Sequence, residues 1–487
     1  VNTSYPKIAQ LKSVAAFLER LEQLQLQLPV DPQILTALEG SPLADTHSFG
    51  RYTAGNRWCI HPMEGWDANS DGTPSDLTRR RWENFGRSGA KLIWGGEAAA
   101  VTPDGRANPR QTLATSNNVT GLCELREVLL QSHRSACGND NQLVIGLQLT
   151  HSGRFSRPTL AGPAPRIAYH HPLLDKKFGI APDDNSVVWT DDELERLCDD
   201  YVAAARRAAA AGFQFVDIKA CHGYLLHEFL SARPRSGRFG GDFPGRTRLL
   251  KQIIRRIHSE LPDLDVAVRL SVFDTLPYQT SREIGKPMEY DASAPYTYGF
   301  GVDEHAPLQI DLAEPIQLIR ELKDLGVVAI NVTCGSPYYN PHIQRPAIFP
   351  PSDGYHPPED PLVGVARQIH ATRACKEAVP EMPFVGTGYS YLQEYLVPVA
   401  QAVVRAGWVD FVGIGRGVLS YPSLPLDTLQ HGSLQRKLLC RTFSDCTTAP
   451  RHGLVSGCYP LDTFYKQLPE CDKILEIKQS LRSDEEP

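Results

Sequence analysis

Residues 212–231 read GFQFVDIKACHGYLLHEFLS. Gly212 closes an Ala-rich helical run, and Phe213 to Ile218 form a short apolar stretch of strand character. Lys219, His222 and Tyr224 follow at once, with Gly223 just before the tyrosine. A strand that runs straight into Lys, His and Tyr carries chemistry on its C-terminal tip, and in a β/α barrel that tip faces the active site.

Working outward from this stretch, strand and helix patterns alternate from Arg57 onward. Strands are predicted at 57–63, 91–98, 143–150, 213–219, 265–271, 327–332, 383–387 and 409–415. Helices are predicted between them at 76–88, 120–136, 190–211, 246–260, 313–325, 362–378 and 391–406. Such alternation argues for a parallel sheet. Eight strands with seven helices and a last segment from about 421 give an α/β fold of the (β/α)8 TIM barrel type. A doubly wound sheet is the rival, but no G-x-G-x-x-G follows any early strand. Residues 7–28 place Ile8, Leu11, Val14, Leu18, Leu21, Leu24 and Leu28 at helical spacing, ended by Pro29 and Pro32. This predicts an N-terminal accessory helix packed on the barrel or on a partner subunit, followed by loop residues to Thr53. Two connections, 152–189 and 272–312, are long enough to be lids or walls on the C-terminal face. The expected organisation is an N-terminal helical extension (1–53), the barrel (54–435) and a C-terminal extension (436–487).

Composition narrows the function classes. The 487 residues are 22% charged and 41% hydrophobic with a net charge of −6, ordinary for a soluble globular chain. This charge offers no surface for nucleic acid or an anionic membrane. No apolar run approaches the roughly 20 residues of a membrane span. The start VNTSYPKIAQ has no apolar signal region and no initiator Met, which reads as a processed or trimmed chain without a secretory signal. Eleven scattered cysteines read as reduced thiols in a cytoplasmic enzyme.

Further motifs sit on the other predicted strand ends: Asn56-Arg57 with Pro62-Met63, Gly95-Gly96-Glu97-Ala98, Gln148-Leu149-x-His151-x-Gly153-Arg154 and Val268-Arg269-Leu270-Ser271. The last two strands end in Val385-Gly386-Thr387-Gly388 and Gly413-Ile414-Gly415-Arg416-Gly417. Together with 212–231 and Gly240-Gly241, these resemble the old yellow enzyme family of NAD(P)H:flavin oxidoreductases across the whole barrel. The resemblance implies noncovalent FMN, NADH or NADPH as electron donor, and a small-molecule acceptor. It places Pro62, Met63, Glu64, Ala98, Gln148, Arg269, Gly386, Gly388, Gly415 and Arg416 on the flavin, and Trp66, Lys219 and His222 on the substrate. No metal is expected.

The residue chemistry fits these assignments. The Gln148 side chain has both donor and acceptor, as a flavin pyrimidine edge requires. A guanidinium at Arg269 would stabilise charge developing on the reduced ring. Paired Gly-rich turns with Arg416, at the ends of strands seven and eight, suit a phosphate. Tyr224, protonated at neutral pH, is the expected proton donor to an electron-poor alkene. The chain departs from the family at two places. Lys219 replaces the first member of its His pair, and Glu64 replaces a usual Thr or Cys beside the flavin. Lys219 then either favours an anionic acceptor oxygen or pairs with Glu64. These departures keep an oxidative or redox-neutral relative, such as an amine demethylase or isomerase, as the rival reading. A binding barrel without turnover is the rival from another class.

Cys440-x5-Cys446-x11-Cys458 resembles a degenerate form of the four-cysteine cluster motif in the 2,4-dienoyl-CoA reductase and trimethylamine dehydrogenase branch. Phe443 stands where that pattern has its second cysteine. Four thiolates are the usual requirement of such a cluster, so none is expected, and neither are the further flavin and dinucleotide domains of that branch.

Overall fold

Short strands form where the apolar stretches lie: Trp58–Ile60 (β1), Leu92–Ile93 (β2), Val144–Thr150 (β3), Phe215–Ala220 (β4), Asp265–Ser271 (β5), Ile330–Thr333 (β6), Phe384–Gly386 (β7) and Phe411–Ile414 (β8). All of their residues are buried, as expected of parallel strands covered on both faces. A computed structural model describes residues 5–281 and 284–483. Neighbouring strands pair in parallel around the whole ring, and β2 closes it by pairing with both β1 and β3. The fold is a closed (β/α)8 barrel.

The outer helices are Asp76–Arg87 (α1), Val119–Cys137 (α2), Asp191–Ala210 (α3), Phe243–Glu260 (α4), Ala313–Asp324 (α5), Pro361–Ala378 (α6) and Leu396–Arg405 (α7), with Leu424–His431 (α8) after β8. Their starts follow local chemistry. Ser75 and Thr190 cap α1 and α3 through capping boxes. Asp242 caps α4 by accepting from the Gly245 amide, so that helix begins three residues before its predicted start.

Other segments differ from the sequence expectation. The N-terminal helix is short, Val14–Gln23, and stacks Phe17 on Tyr395 of the barrel with ring centroids 4.2 Å apart. Residues expected as loop before Thr53 form the hairpin His47–Phe49/Tyr52–Ala54. Its Phe49 is wholly buried against Trp94, Phe215 and Phe411 and plugs the end of the barrel opposite the strand tips. Ala98, predicted as the end of the second strand, instead begins a separate short strand, Ala98–Ala100, paired with β3.

Candidate active site

Strand register builds the floor of the site. Gln148 on β3 lies opposite Asp217 on β4, and Lys219 on β4 lies opposite Arg269 on β5. The Gln148 amide donates to Asp217 Oδ2 at 2.6 Å, and Asp217 Oδ1 accepts from the Arg269 backbone N–H at 2.6 Å. Burial pushes the Asp217 carboxyl up to about 6, partly offset by these bonds. The acidic residue was not singled out from sequence. Its signal was there, since period-two alternation puts 217 on the same face as 219. Arg269 is 6% exposed, its Nε has no hydrogen-bond partner, and among the described residues no carboxylate lies within 4.0 Å of it.

Beyond β4 the chain turns through two left-handed residues, His222 (φ 65°) and Gly223 (φ 78°). A non-glycine residue held in that region costs roughly 1–3 kcal/mol and persists only where its surroundings fix it. Here Ser271 Oγ accepts from the His222 amide at 3.1 Å, and Ser336 Oγ donates to its carbonyl at 2.9 Å. Position 223 needs glycine twice, because a Cβ there would also lie 2.8 Å from the Tyr339 ring. The turn sends Tyr224 into the site. His222 Nε2 lies 3.2 Å from Thr333 Oγ1. Burial, with the nearby Arg269 and Lys219 charges, holds its imidazole well below the ordinary range, so it is neutral.

Tyr224 is 3% exposed. Its hydroxyl donates to Glu64 Oε2 and lies 2.9 Å from the Tyr338 hydroxyl. Burial first, then Glu64 and Tyr338, raise this phenol well above its ordinary value. Glu64 Oε1 accepts from Asn108 Nδ2 at 3.3 Å. Lys219 makes no ion pair with Glu64 within 4.0 Å; its Nζ sits 3.6 Å from the centre of the Tyr224 ring. Burial lowers the Lys219 ammonium, with Glu64 opposing the shift. The loop carrying Glu64 is itself clamped. Arg81 on α1 bridges Asp67 (2.9 Å) and Glu97 (2.7 Å), all buried, and Glu97 accepts from the Gly65 amide at 3.1 Å.

At the ends of β7 and β8 the site is cationic. Arg416 donates to Thr447 Oγ1 at 3.0 Å and, among the described residues, has no carboxylate partner within 4.0 Å. Burial and then the neighbouring Arg345 pull it down to about 9. Arg345 donates to Ser444 Oγ at 2.7 Å. A Cβ at Gly415 would meet nothing nearer than 3.8 Å, so that backbone faces open space, while Gly413 closes against the His61 ring. Two guanidiniums without carboxylates beside an open glycine turn fit the phosphate of a flavin nucleotide, and the unpartnered Arg269 fits its ring.

These groups surround one cavity of about 240 Å³. Of the residues singled out from sequence, Pro62, Met63, Glu64, Trp66, Gln148, Lys219, His222, Tyr224, Arg269, Gly388, Gly415 and Arg416 line it. Ala98 and Gly386 do not. Ala98 lies opposite Gln148 with its carbonyl bound to Gln111 Nε2 at 2.7 Å, and Gly386 faces Tyr389. The lining also includes His61, Pro337, Tyr338, Gln344 and Arg345, and Thr442, Cys446, Thr447, Pro450, Arg451 and Ser456 of the C-terminal segment, none of which the sequence reading assigned to the site. The two long connections stand behind this wall rather than in it. Phe155 stacks on Tyr338 at 4.0 Å, and Asp274 accepts from Tyr339 at 2.6 Å. Among the described residues no group of three or more His, Cys, Asp or Glu side chains is placed to hold a metal ion, and no helix is long and apolar enough to cross a membrane.

A parallel barrel with a cationic glycine-rich pocket at β7 and β8 and polar groups at the other strand tips defines a flavin-binding oxidoreductase barrel. The pattern of the NADH:flavin oxidoreductase / NADH oxidase family matches residues 48–294, about half of the chain, and the chain belongs to that family, the old yellow enzyme class. The family and this chain's relatives support FMN as the cofactor, with NADH or NADPH as electron donor. An NADH:flavin oxidoreductase of Gibberella zeae is 27% identical over 332 residues, 64% of this chain and 69% of that protein. The NADH oxidase of Thermoanaerobacter brockii is 24% identical over 77% of this chain but only 49% of its own length, so the chain spans about half of that relative. Among solved structures, morphinone reductase in complex with tetrahydroNAD superposes with a TM-score of 0.55 at 19% identity, over 81% of this chain and 92% of that one.

Proposed function

We propose that this protein reduces an electron-poor alkene or a related acceptor, as an ene-reductase, with Tyr224 as the proton donor. FMN bound in the cavity supplies the hydride taken from NADH or NADPH. Gln148 and Arg269 would hold its ring and Gly388, Gly415 and Arg416 its phosphate. Lys219 and His222 bind the activating oxygen of the acceptor and stabilise the negative charge that develops there. The observation that carries this reading is the convergence of the Tyr224 hydroxyl, the Lys219 ammonium and a neutral His222 on one cavity wall, with no carboxylate among the described residues neutralising Lys219 within 4.0 Å. Burial keeps Tyr224 protonated, the state a donor needs.

Glu64 favours a second reading. A carboxylate accepting from Tyr224 puts a base beside the flavin position, which suits oxidative chemistry on a protonated substrate. One experiment separates the two. Tyr224→Phe should leave flavin reduction by NAD(P)H intact and slow the alkene half-reaction roughly 10²–10⁴-fold, the usual contribution of a general acid. Equal slowing of both half-reactions would show that Tyr224 acts only through the fold.

A further inference from the structure

The hydroxyl hydrogens of Tyr224 and Tyr338 can be ordered. Each phenol has one hydrogen. Tyr224 commits its own to Glu64, so the 2.9 Å contact with Tyr338 is filled by the Tyr338 hydrogen. Tyr338 is held in this role from both sides. Phe155 stacks on one face with centroids 4.0 Å apart and planes 10° from parallel. The Arg451 guanidinium of the C-terminal segment lies 5.0 Å from the ring centre. Arg451 pairs at 2.7 Å with Asp353, and Tyr338 is itself only part-buried on the cavity wall, which gives solvent a route to it.

We propose that Tyr338 resupplies the proton that Tyr224 delivers, and that Arg451 stabilises the phenolate left on Tyr338. This rests on the reading of Tyr224 as donor. The step balances. The Tyr224 O–H bond breaks as a C–H bond forms on the acceptor, and its electron pair stays on the phenolate oxygen. In the same step the Tyr338 O–H bond breaks as the Tyr224 O–H re-forms, so two protons are in flight together. A water proton from the exposed side restores Tyr338, so one solvent proton reaches the acceptor per turnover, matching the one hydride from NAD(P)H. Charge placement sets the direction. The Glu64 carboxylate that accepts from the Tyr224 hydroxyl disfavours a phenolate on Tyr224, whereas the Arg451 guanidinium 5.0 Å from the Tyr338 ring centre favours one on Tyr338. Four other charged groups bear on the pair: Glu64 on the β1 loop, Lys219 on β4, Arg451, and Asp353 through Arg451.

The test has two readouts on the holoenzyme. Carbon NMR of ring-labelled tyrosine, followed against pH, should show the first ionisation of the pair disappearing in Tyr338→Phe and moving to higher pH in Arg451→Met, with Arg451→Lys restoring part of the shift. Proton inventories of the alkene half-reaction, rate against solvent deuterium fraction, should bow in the wild type and straighten in Tyr338→Phe, with a loss of roughly 10-fold, below the roughly 10²–10⁴-fold of a direct general acid. An unaltered inventory in Tyr338→Phe, together with a slowed Tyr224→Phe, would overturn the relay and leave the donor reading standing. An unslowed Tyr224→Phe would overturn both. If Tyr338→Phe does not fold, Arg451→Met decides, and an unmoved ionisation there overturns the proposal.

Discussion

Lys219 should set a preference for acceptors that carry a negative oxygen, and replacing it should erase that preference. The ammonium is 5% exposed, lines the cavity and rests on the Tyr224 ring 3.6 Å away, with its neighbour Glu64 engaged by Tyr224 and Asn108. An anionic oxygen brought to it would form a charge-assisted bond worth about 1.5–3 kcal/mol net. The bare Coulomb limit for unit charges 4 Å apart is about 4 kcal/mol at an effective dielectric near 20. Lys219→Met should therefore lower kcat/KM for a carboxylate- or phenolate-bearing acceptor roughly 10–100-fold relative to a matched neutral enone, at about 1.4 kcal/mol per factor of ten. Lys219→His should improve the neutral enone. The preference also depends on pH. Burial lowers the Lys219 ammonium, so its charge is present at low pH and is lost as pH rises through that depressed value, below the roughly 10.4 of a free lysine. The assay is kcat/KM for the matched pair in the wild type and both variants. A ratio that stays constant across the three proteins refutes a substrate-selecting Lys219. A joint loss of stability and flavin in both variants would instead mean that the ammonium neutralises Glu64.

Three other outcomes are expected. Arg416→Ala should weaken FMN binding roughly 10–100-fold by removing a charge-assisted contact, measured as flavin retained on dilution; unchanged retention refutes the phosphate assignment. Arg81→Met should cost about 3–5 kcal/mol in chemical denaturation, because Asp67 and Glu97 are left buried without a cation; a loss under about 1 kcal/mol, the range of surface pairs, would mean the clamp is dispensable. Glu64→Gln should ease ionisation of Tyr224, since the carboxylate accepting its hydroxyl raises that phenol, and tyrosine NMR titration would detect the shift.

The barrel was legible because its strands are buried on both faces and read as apolar stretches punctuated by helical spacing. β3 and β5 fall within a residue of their expected limits. Side chains on strand tips were legible for the same reason, so Gln148, Lys219 and Arg269 are found together on the cavity. What sequence did not reveal comes from segments with no periodicity that return over long distances. Tyr338 sits in the irregular run CGSPYYN at 334–340, fixed by contacts to His222 and Asp274 far away in sequence. The hairpin around Phe49 looks polar in sequence and is buried by only one ring. In the C-terminal segment the cysteine spacing drew attention, whereas Thr447 and Arg451 line the cavity beside Cys446, and Ser444 holds Arg345.

The most direct test of the central claim is anaerobic reduction of the holoenzyme with NADPH or NADH, followed by one equivalent of a simple enone. The account predicts that the yellow protein bleaches and that the enone restores its colour while becoming the saturated ketone, with the α-carbon hydrogen drawn from solvent. A flavin that NAD(P)H cannot bleach but an amine can, or a bleached flavin that enones leave unoxidised, would contradict it.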